Sequence, residues 1–292
     1  MFSRWRSLTR HTLSYRLFIQ HHNEINALYG SHRVAADRML QIVKKSDKRL
    51  KPAALFRVRR RELKRTPPTL AQWEREFKDF NNWARLSASV AINAYMEIYL
   101  RQISALAIES NPGIVIGAPG AIDGVALLKS RPDYSYAEQA VHFVKGDWNT
   151  RITHYEKLFG EAPEKLKASA KELNELRKMR NGVGHAFGRS VDDYDAAWQV
   201  KLKPMMRLSE ERFDHWLQMV DEVTSAIDGH LKRTHIGEYE LLLYYHQWRR
   251  KKGGEAAAGT LLADFRQAVT DDFGELLELA FLQELIAYYE RC

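Results

Sequence analysis

Cysteine is almost absent from this sequence of 292 residues, and the single one, Cys292, is the last residue. One thiol closes no internal disulfide, and no Cys/His grouping has the spacing of a zinc site. No metal or other cofactor is expected, and a reducing, cytoplasmic compartment is the simplest setting. Long apolar runs are also missing. The best candidate, Ser89–Leu100, is interrupted by Asn93 and Glu97 and falls short of a membrane span. No membrane association is expected, and without an apolar signal core neither is secretion. Nowhere do apolar and polar residues alternate as in a half-buried strand. No internal repeat is present, and no glycine cluster is followed by Gly-Lys-Ser/Thr, the phosphate-loop pattern. These absences leave an all-α protein, and 45% hydrophobic residues are enough for a full core.

Acidic residues are scarce in two places. Met1–Asn23 holds Arg4, Arg6, Arg10 and Arg16 and no carboxylate. That composition fits a mitochondrial transit peptide or a basic arm that belongs to the fold, and nothing else points to an organelle. The second place is 44–65, where 11 cations face only Asp47 and Glu62. The overall charge is +8, so this segment at +9 leaves a near-neutral remainder. A concentrated basic segment fits a polyanion, because each phosphate neutralised releases counterions. Arg57, Arg59, Arg60, Arg61, Lys64 and Arg65 are the candidate RNA contacts. A solvated face or linker is the alternative.

Helical spacing organises the rest. In 14–50 the recurring positions are Leu17, Ile25, Leu28, Val34, Met39, Leu40 and Val43. Thr66-Pro67-Pro68 marks a boundary. Thr69 then caps a long helix opened by Leu70, Trp73, Phe77, Phe80 and Trp83 and running to about Ser110. Glu97 lies in its apolar second half. A carboxylate there needs a partner, and an arginine elsewhere in the chain is the natural one. Residues 111–134, with Gly117, Pro119, Gly120 and Gly124, read as a loop, free to move over a site. Short helices are expected near 135–145 and 147–159. Pro163 suits the first turn of the next helix. There Ser169, Leu173, Leu176 and Arg180 share one face, so Arg180 is expected to point inward. Gly182 and Gly184 are expected to end or bend that helix. Ser190 with Asp193 resembles a capping box, and Ser209 caps an amphipathic helix carrying Phe213, Trp216, Leu217, Val220, Val223 and Ile227. The tail, 234–292, reads as two or three helices broken at Gly253-Gly254, with Leu261–Tyr289 as one terminal helix.

Arginine followed five residues later by histidine occurs three times, as Arg6/His11, Arg16/His21 and Arg180/His185. With 27 arginines and 11 histidines, about one such pair arises by chance. The third pair differs in context: it closes an amphipathic helix, Asn181 follows the arginine, and glycines lie between the two residues. An arginine that holds a phosphate beside a histidine that moves a proton is a nuclease pairing. A structural arginine and a C-capping histidine are the alternative.

The run Arg-Asn-Gly-Val-Gly-His resembles the Arg-Asn-x-x-x-His signature of the HEPN superfamily. Leu158-Phe159-Gly160 upstream and the Ala-Tyr-Met-Glu-Ile-Tyr-Leu run around Glu97 are similar to its RiboL-PSP-HEPN branch. The likeness covers roughly 70–232. It implies an antiparallel helical bundle at 67–232, with extensions at 1–66 and 233–292. It further implies a homodimer with the motifs facing one cleft, and metal-independent endoribonuclease activity, in many members that of a toxin or antiviral effector. Carried over, Arg180 binds the scissile phosphate, His185 shuttles the proton, Asn181 supports the motif and Glu97 orients Arg180. An antitoxin or other defence-system protein is the implied partner. In one group of these toxins a tyrosine two residues after the histidine is modified by the antitoxin. Phe187 stands there and has no hydroxyl, which argues against that form of control. A non-catalytic HEPN module that binds RNA or protein is the competing expectation.

Overall fold

The computed structural model describes residues 2–130, 136–186, 204–252 and 260–292, with the backbone alone at His185 and Ala186. Among the described residues there are helices and no strands, so the protein is all-α. In chain order the helices are α1 Leu13–Lys44, α2 Pro52–Leu55, α3 Leu70–Ser110, α4 Gly124–Ser130, α5 Ala137–Ala140, α6 Trp148–Phe159, α7 Glu164–Ala168, α8 Ala170–Ala186, α9 Glu210–Leu231, α10 Tyr239–Lys251, α11 Leu261–Phe273 and α12 Leu279–Arg291. No described helix is long and apolar enough to cross a membrane. The chain forms two compact units. One comprises Met1–Ile19, Tyr95–Asn174 and Met219–Cys292; the other comprises Gln20–Ala94 and Glu175–Gln218.

Helix α1 is the single long helix of its segment, but its buried face differs from the expected one. Leu17, Leu28 and Val34 are exposed. The inward stripe is Tyr15, Phe18, His22, Ile25, Tyr29 and Ala36, reaching Val43. These fall at alternating three- and four-residue steps, the period of one helix face. The apolar leucines misled because aromatic and histidine side chains carry the stripe. His22 is tolerated inside because both ring nitrogens are bonded: Nε2 to the Leu217 carbonyl at 3.0 Å and Nδ1 to the Asn26 amide at 3.1 Å.

The basic N-terminus is an arm packed into the first unit. Arg4 is buried. Its guanidinium donates to Asp123 at 3.0 Å, to the Ile236 carbonyl at 2.7 Å, and to the Ser110 carbonyl and hydroxyl. Three buried carboxylates then hold the backbone that leads into α1. Glu238 accepts from Leu8 N–H, Asp228 from the Thr12 hydroxyl at 2.6 Å, and Glu240 from Leu13 N–H at 3.0 Å. The first turn of a helix carries unpaired N–H groups and partial positive charge, which is what carboxylates complement. His11, of the first Arg/His pair, bonds Asp228 through Nδ1 at 3.1 Å.

Thr69 caps α3, its hydroxyl accepting from Gln72 N–H at 3.2 Å, and the helix runs to Ser110 as the spacing predicts. Residues 111–134 depart from expectation. They contain a short 3-10 turn at Pro112–Ile116 and then α4, with Ile114 and Val125 buried. Two glycines there are packing devices: a Cβ at Gly113 would overlap the Ala118 carbonyl, and one at Gly124 the Glu109 carbonyl. Close backbone contact makes this stretch part of the packed unit and not a free loop; residues 131–135 lie outside the described residues. Helix α6 ends at Gly160, with φ 79°. Pro163 precedes α7, and the helix expected from there is broken at Ser169 into α7 and α8. Ser209 caps α9, accepting from Arg212 N–H, and the six apolar positions read for this helix are all buried. The terminal stretch is two helices, because Gly274 stops α11 at φ 63°. Ser190, Asp193, Gly253 and Gly254 lie outside the described residues.

Candidate active site

Helix α8 carries Arg180 and Asn181 in the second unit. Its inward positions are Leu173, Leu176, Met179 and Val183. Arg180 is therefore beside the stripe and not on it, and it is half-buried. Its Nη1 donates to Asn181 Oδ1 at 3.1 Å. That bond ties the guanidinium to the adjacent residue.

The helix does not end or bend at Gly182 and Gly184. It continues through both to Ala186, and neither glycine has positive φ. Helical glycine costs about 1 kcal/mol relative to alanine, and burial of Met179 and Val183 on the same turns outweighs it. On a continuous helix Arg180 and His185 lie about 140° apart around the axis and about 7.5 Å along it. The expected convergence through a glycine break is thus replaced by a broad face. Asn181 and His185, four apart, lie on one side of it; Arg180 and Gly184, also four apart, lie on the other. A helical side chain leans over the turn before it. A residue at 184 would therefore cover Arg180. Gly184 is exposed, and among the described residues nothing lies within 4 Å of the place a Cβ would take. A glycine there adds no side chain of its own over Arg180. Arg177, one turn earlier on this face, was not singled out by sequence spacing, because it lies off the apolar stripe. Phe187 and the side chain of His185 lie outside the described residues.

Glu97 is in the first unit, half-buried, and it has the arginine partner its position demanded. That partner is Arg151, whose Nη2 donates to Glu97 Oε1 at 3.1 Å and also to the Val144 carbonyl. The Arg151 side chain is 4% exposed and the Glu97 side chain 18%. The guanidinium lies 4.8 Å from the Trp148 ring. Arg151 could have been found by sequence: Trp148, Arg151, Tyr155 and Phe159 sit at i, i+3, i+7 and i+11, an arginine within an aromatic stripe.

The six basic residues assigned to RNA are all exposed. They follow α2 and run through a 3-10 turn at Arg60–Arg65. Within the wider basic segment Lys48 is committed elsewhere, to Glu74 at 2.6 Å. Lys48 and Lys78 together hold the Glu74 carboxyl down at about 2. Among the described residues no group of three or more His, Cys, Asp or Glu side chains is placed to hold a metal ion.

Comparison with protein-family models, with curated proteins and with solved structures gave no match.

Proposed function

We infer that this chain is a metal-independent endoribonuclease of HEPN type. The observation that carries it is the Arg-Asn-Gly-Val-Gly-His run on one continuous helix, with Arg180 bonded to Asn181 and a glycine, not a side chain, one turn on at Gly184. Arg180 binds the scissile phosphate and the charge that grows on its oxygens. The ribose 2′-hydroxyl oxygen attacks phosphorus, and the bond from phosphorus to the 5′-oxygen breaks. His185 takes the 2′-proton and returns it to the departing 5′-oxygen. The products are a 2′,3′-cyclic phosphate and a 5′-hydroxyl, and no water is consumed. Two copies form a homodimer that brings the two α8 faces to one cleft. The exposed cations from Arg57 to Arg65 draw RNA to it. Cutting cellular or invading RNA makes the protein a toxin or a defence effector, acting in the cytoplasm, with an antitoxin or defence-system protein as partner.

Arg180→Ala and His185→Ala are each expected to fold and to lower cleavage a hundredfold or more, in order of magnitude. Full activity in both variants, with EDTA present or absent, overturns the assignment. A second reading, a non-catalytic module that binds RNA, is favoured by one observation: Arg180 is engaged by its own neighbour Asn181, as a structural arginine would be. Intact RNA after incubation with wild-type protein, together with salt-sensitive binding, selects that reading.

A further inference from the structure

Phe80 and Trp83, two of the residues that open α3, are 50% and 40% exposed. They belong to a row of rings. Phe56 leans on Trp73 with centroids 4.9 Å apart. Trp73 stacks on Phe77 at 4.6 Å, the planes 14° apart. His32 sits between Phe77 and Phe80, at 6.5 Å and 5.6 Å. Phe80 stacks on Trp83 at 5.8 Å and 17°. The four rings on α3 recur every three or four residues, so they share one side of the helix and extend about 15 Å along it.

The basic segment begins at one end of this row. Phe56, the first ring, is followed by Arg57, Arg59, Arg60, Arg61, Lys64 and Arg65, all exposed. The backbone is extended at Phe56 and Arg59, and Val58 is half-buried while its two arginine neighbours face solvent. Leu70 N–H bonds the Leu50 carbonyl at 2.8 Å, and Ala71 N–H the Lys48 carbonyl at 3.1 Å, fixing the segment's start to the aromatic helix. Arg61 lies 3.7 Å from Glu62. Among the described residues none of the other five cations has a carboxylate within ion-pair reach.

The opposite end of the row reaches α8. Asn82, between Phe80 and Trp83, donates to the Met206 carbonyl at 2.8 Å and accepts from Leu208 N–H at 2.9 Å. The Met206 methyl lies 3.8 Å from where a Cβ on Gly182 would stand. Rings, cations and Arg180 itself belong to the same unit.

We propose that the aromatic row of α3 and the cations of 57–65 form one surface that binds single-stranded RNA, the bases stacking on the rings and the phosphates meeting the cations. It deepens the ribonuclease reading and rests on its RNA part alone. Uncommitted cations favour a polyanion. A row of rings that reaches solvent at Phe80 favours unpaired bases, since a duplex keeps its bases stacked on one another. A row of about 15 Å matches about four stacked nucleotides. An acidic protein would satisfy the cations and leave the rings without a role.

The test uses the full chain and 2′-O-methyl oligonucleotides, which lack the attacking hydroxyl and so remain whole. A single-stranded 12-mer is expected to bind at least tenfold more tightly than the matching duplex and to quench tryptophan emission. Phe80→Ala, at an exposed position, is expected to weaken single-strand binding roughly tenfold to a hundredfold. Phe80→Tyr, which keeps the ring, is expected to restore it. Arg59→Ala with Arg60→Ala is expected to lower the slope of log affinity against log salt by about one to two. Equal binding of single strand and duplex, unchanged affinity in Phe80→Ala, or equal binding of a polyglutamate of the same length overturns the proposal. If single-strand binding depends on Phe80 but His185→Ala still cleaves RNA, the cleavage reading fails and this one stands. If RNA is cut normally while Phe80→Ala binds as wild type does, the reverse holds.

Discussion

Glu240 accepts a hydrogen bond from Leu13 N–H while lying 7% exposed among Asp228, Glu238 and Lys232, and it is the group through which pH should reach the fold most directly. Burial pushes its carboxyl from an ordinary 4.5 up to about 7, against the opposing pull of Lys232. The sign follows from counting protons. Below pH 4.5 the group is protonated in both the folded and the unfolded chain and contributes no difference. Between 4.5 and 7 the unfolded chain releases its proton and the folded chain keeps it, so stability falls as pH rises. Above 7 the loss is complete. At 1.36 kcal/mol for each pH unit, the gap between 4.5 and about 7 amounts to about 3 kcal/mol. Asp228 and Glu238, also raised by burial, act in the same direction. His230, His235 and His246, lowered chiefly by burial, act in the opposite one and gain stability as pH rises. A bare stability profile mixes these groups, so a variant must isolate the one in question. Glu240→Gln keeps the shape and the oxygen that Leu13 needs, and it cannot ionise. Urea unfolding of both proteins at pH 5 and pH 8 gives the answer. The variant should gain about 2.5 kcal/mol on wild type between those two conditions, since part of the loss is already present at pH 5. A difference that stays constant across this range would refute the buried-carboxylate account of the arm.

Gly184→Ala should raise stability by about 0.5–1 kcal/mol, since the site is helical and open, while lowering RNA cleavage; Gly184→Leu should lower cleavage further. Melting temperature and cleavage rate moving in the same direction would remove the open-surface argument. Arg151→Met should cost about 3 kcal/mol by stripping Glu97 of its buried ion-pair partner, and Arg151→Met with Glu97→Gln should recover part of that in a double-mutant cycle. Gly124→Ala should cost at least about 2 kcal/mol, because its Cβ meets the Glu109 carbonyl, whereas Gly30→Ala on α1, with nothing within 4 Å, should stabilise by about 1 kcal/mol.

The helices were legible wherever apolar residues alone form the stripe. In α9 six of six positions read from spacing are buried, and Ser209 caps it as its chemistry requires. Legibility fell where polar residues take inward positions. In α1, His22 is inside because the Leu217 carbonyl and the Asn26 amide satisfy it, and no pattern of leucines reveals such partners. Glycine was the least legible residue. Gly113 and Gly124 looked like loop formers and are contact points where two backbones touch. Gly274, within an apolar stretch that reads as one helix, stops α11. Local sequence states that glycine permits an unusual conformation or a close approach, and only the packing decides which is used.

The same ambiguity bears on the candidate site. Two glycines beside an arginine and a histidine read as a hinge that folds one side chain toward the other. In the continuous helix they do something else, and the requirement on the chemistry changes with it. Arg180 and His185, about 140° apart on one rigid element, do not gather around a phosphate by bending their own backbone. On the proposed reading a phosphate at Arg180 lies across the helix face that includes Gly184, with the histidine function brought to it along that face or from a second α8. On that reading a single copy presents a surface, and a second copy would supply depth. That gives the proposed homodimer a physical reason beside the analogy. It ties cleavage to protein concentration in a way binding by the aromatic row is not: dilution below the dimer's dissociation constant should extinguish cutting while leaving single-strand affinity per chain unchanged.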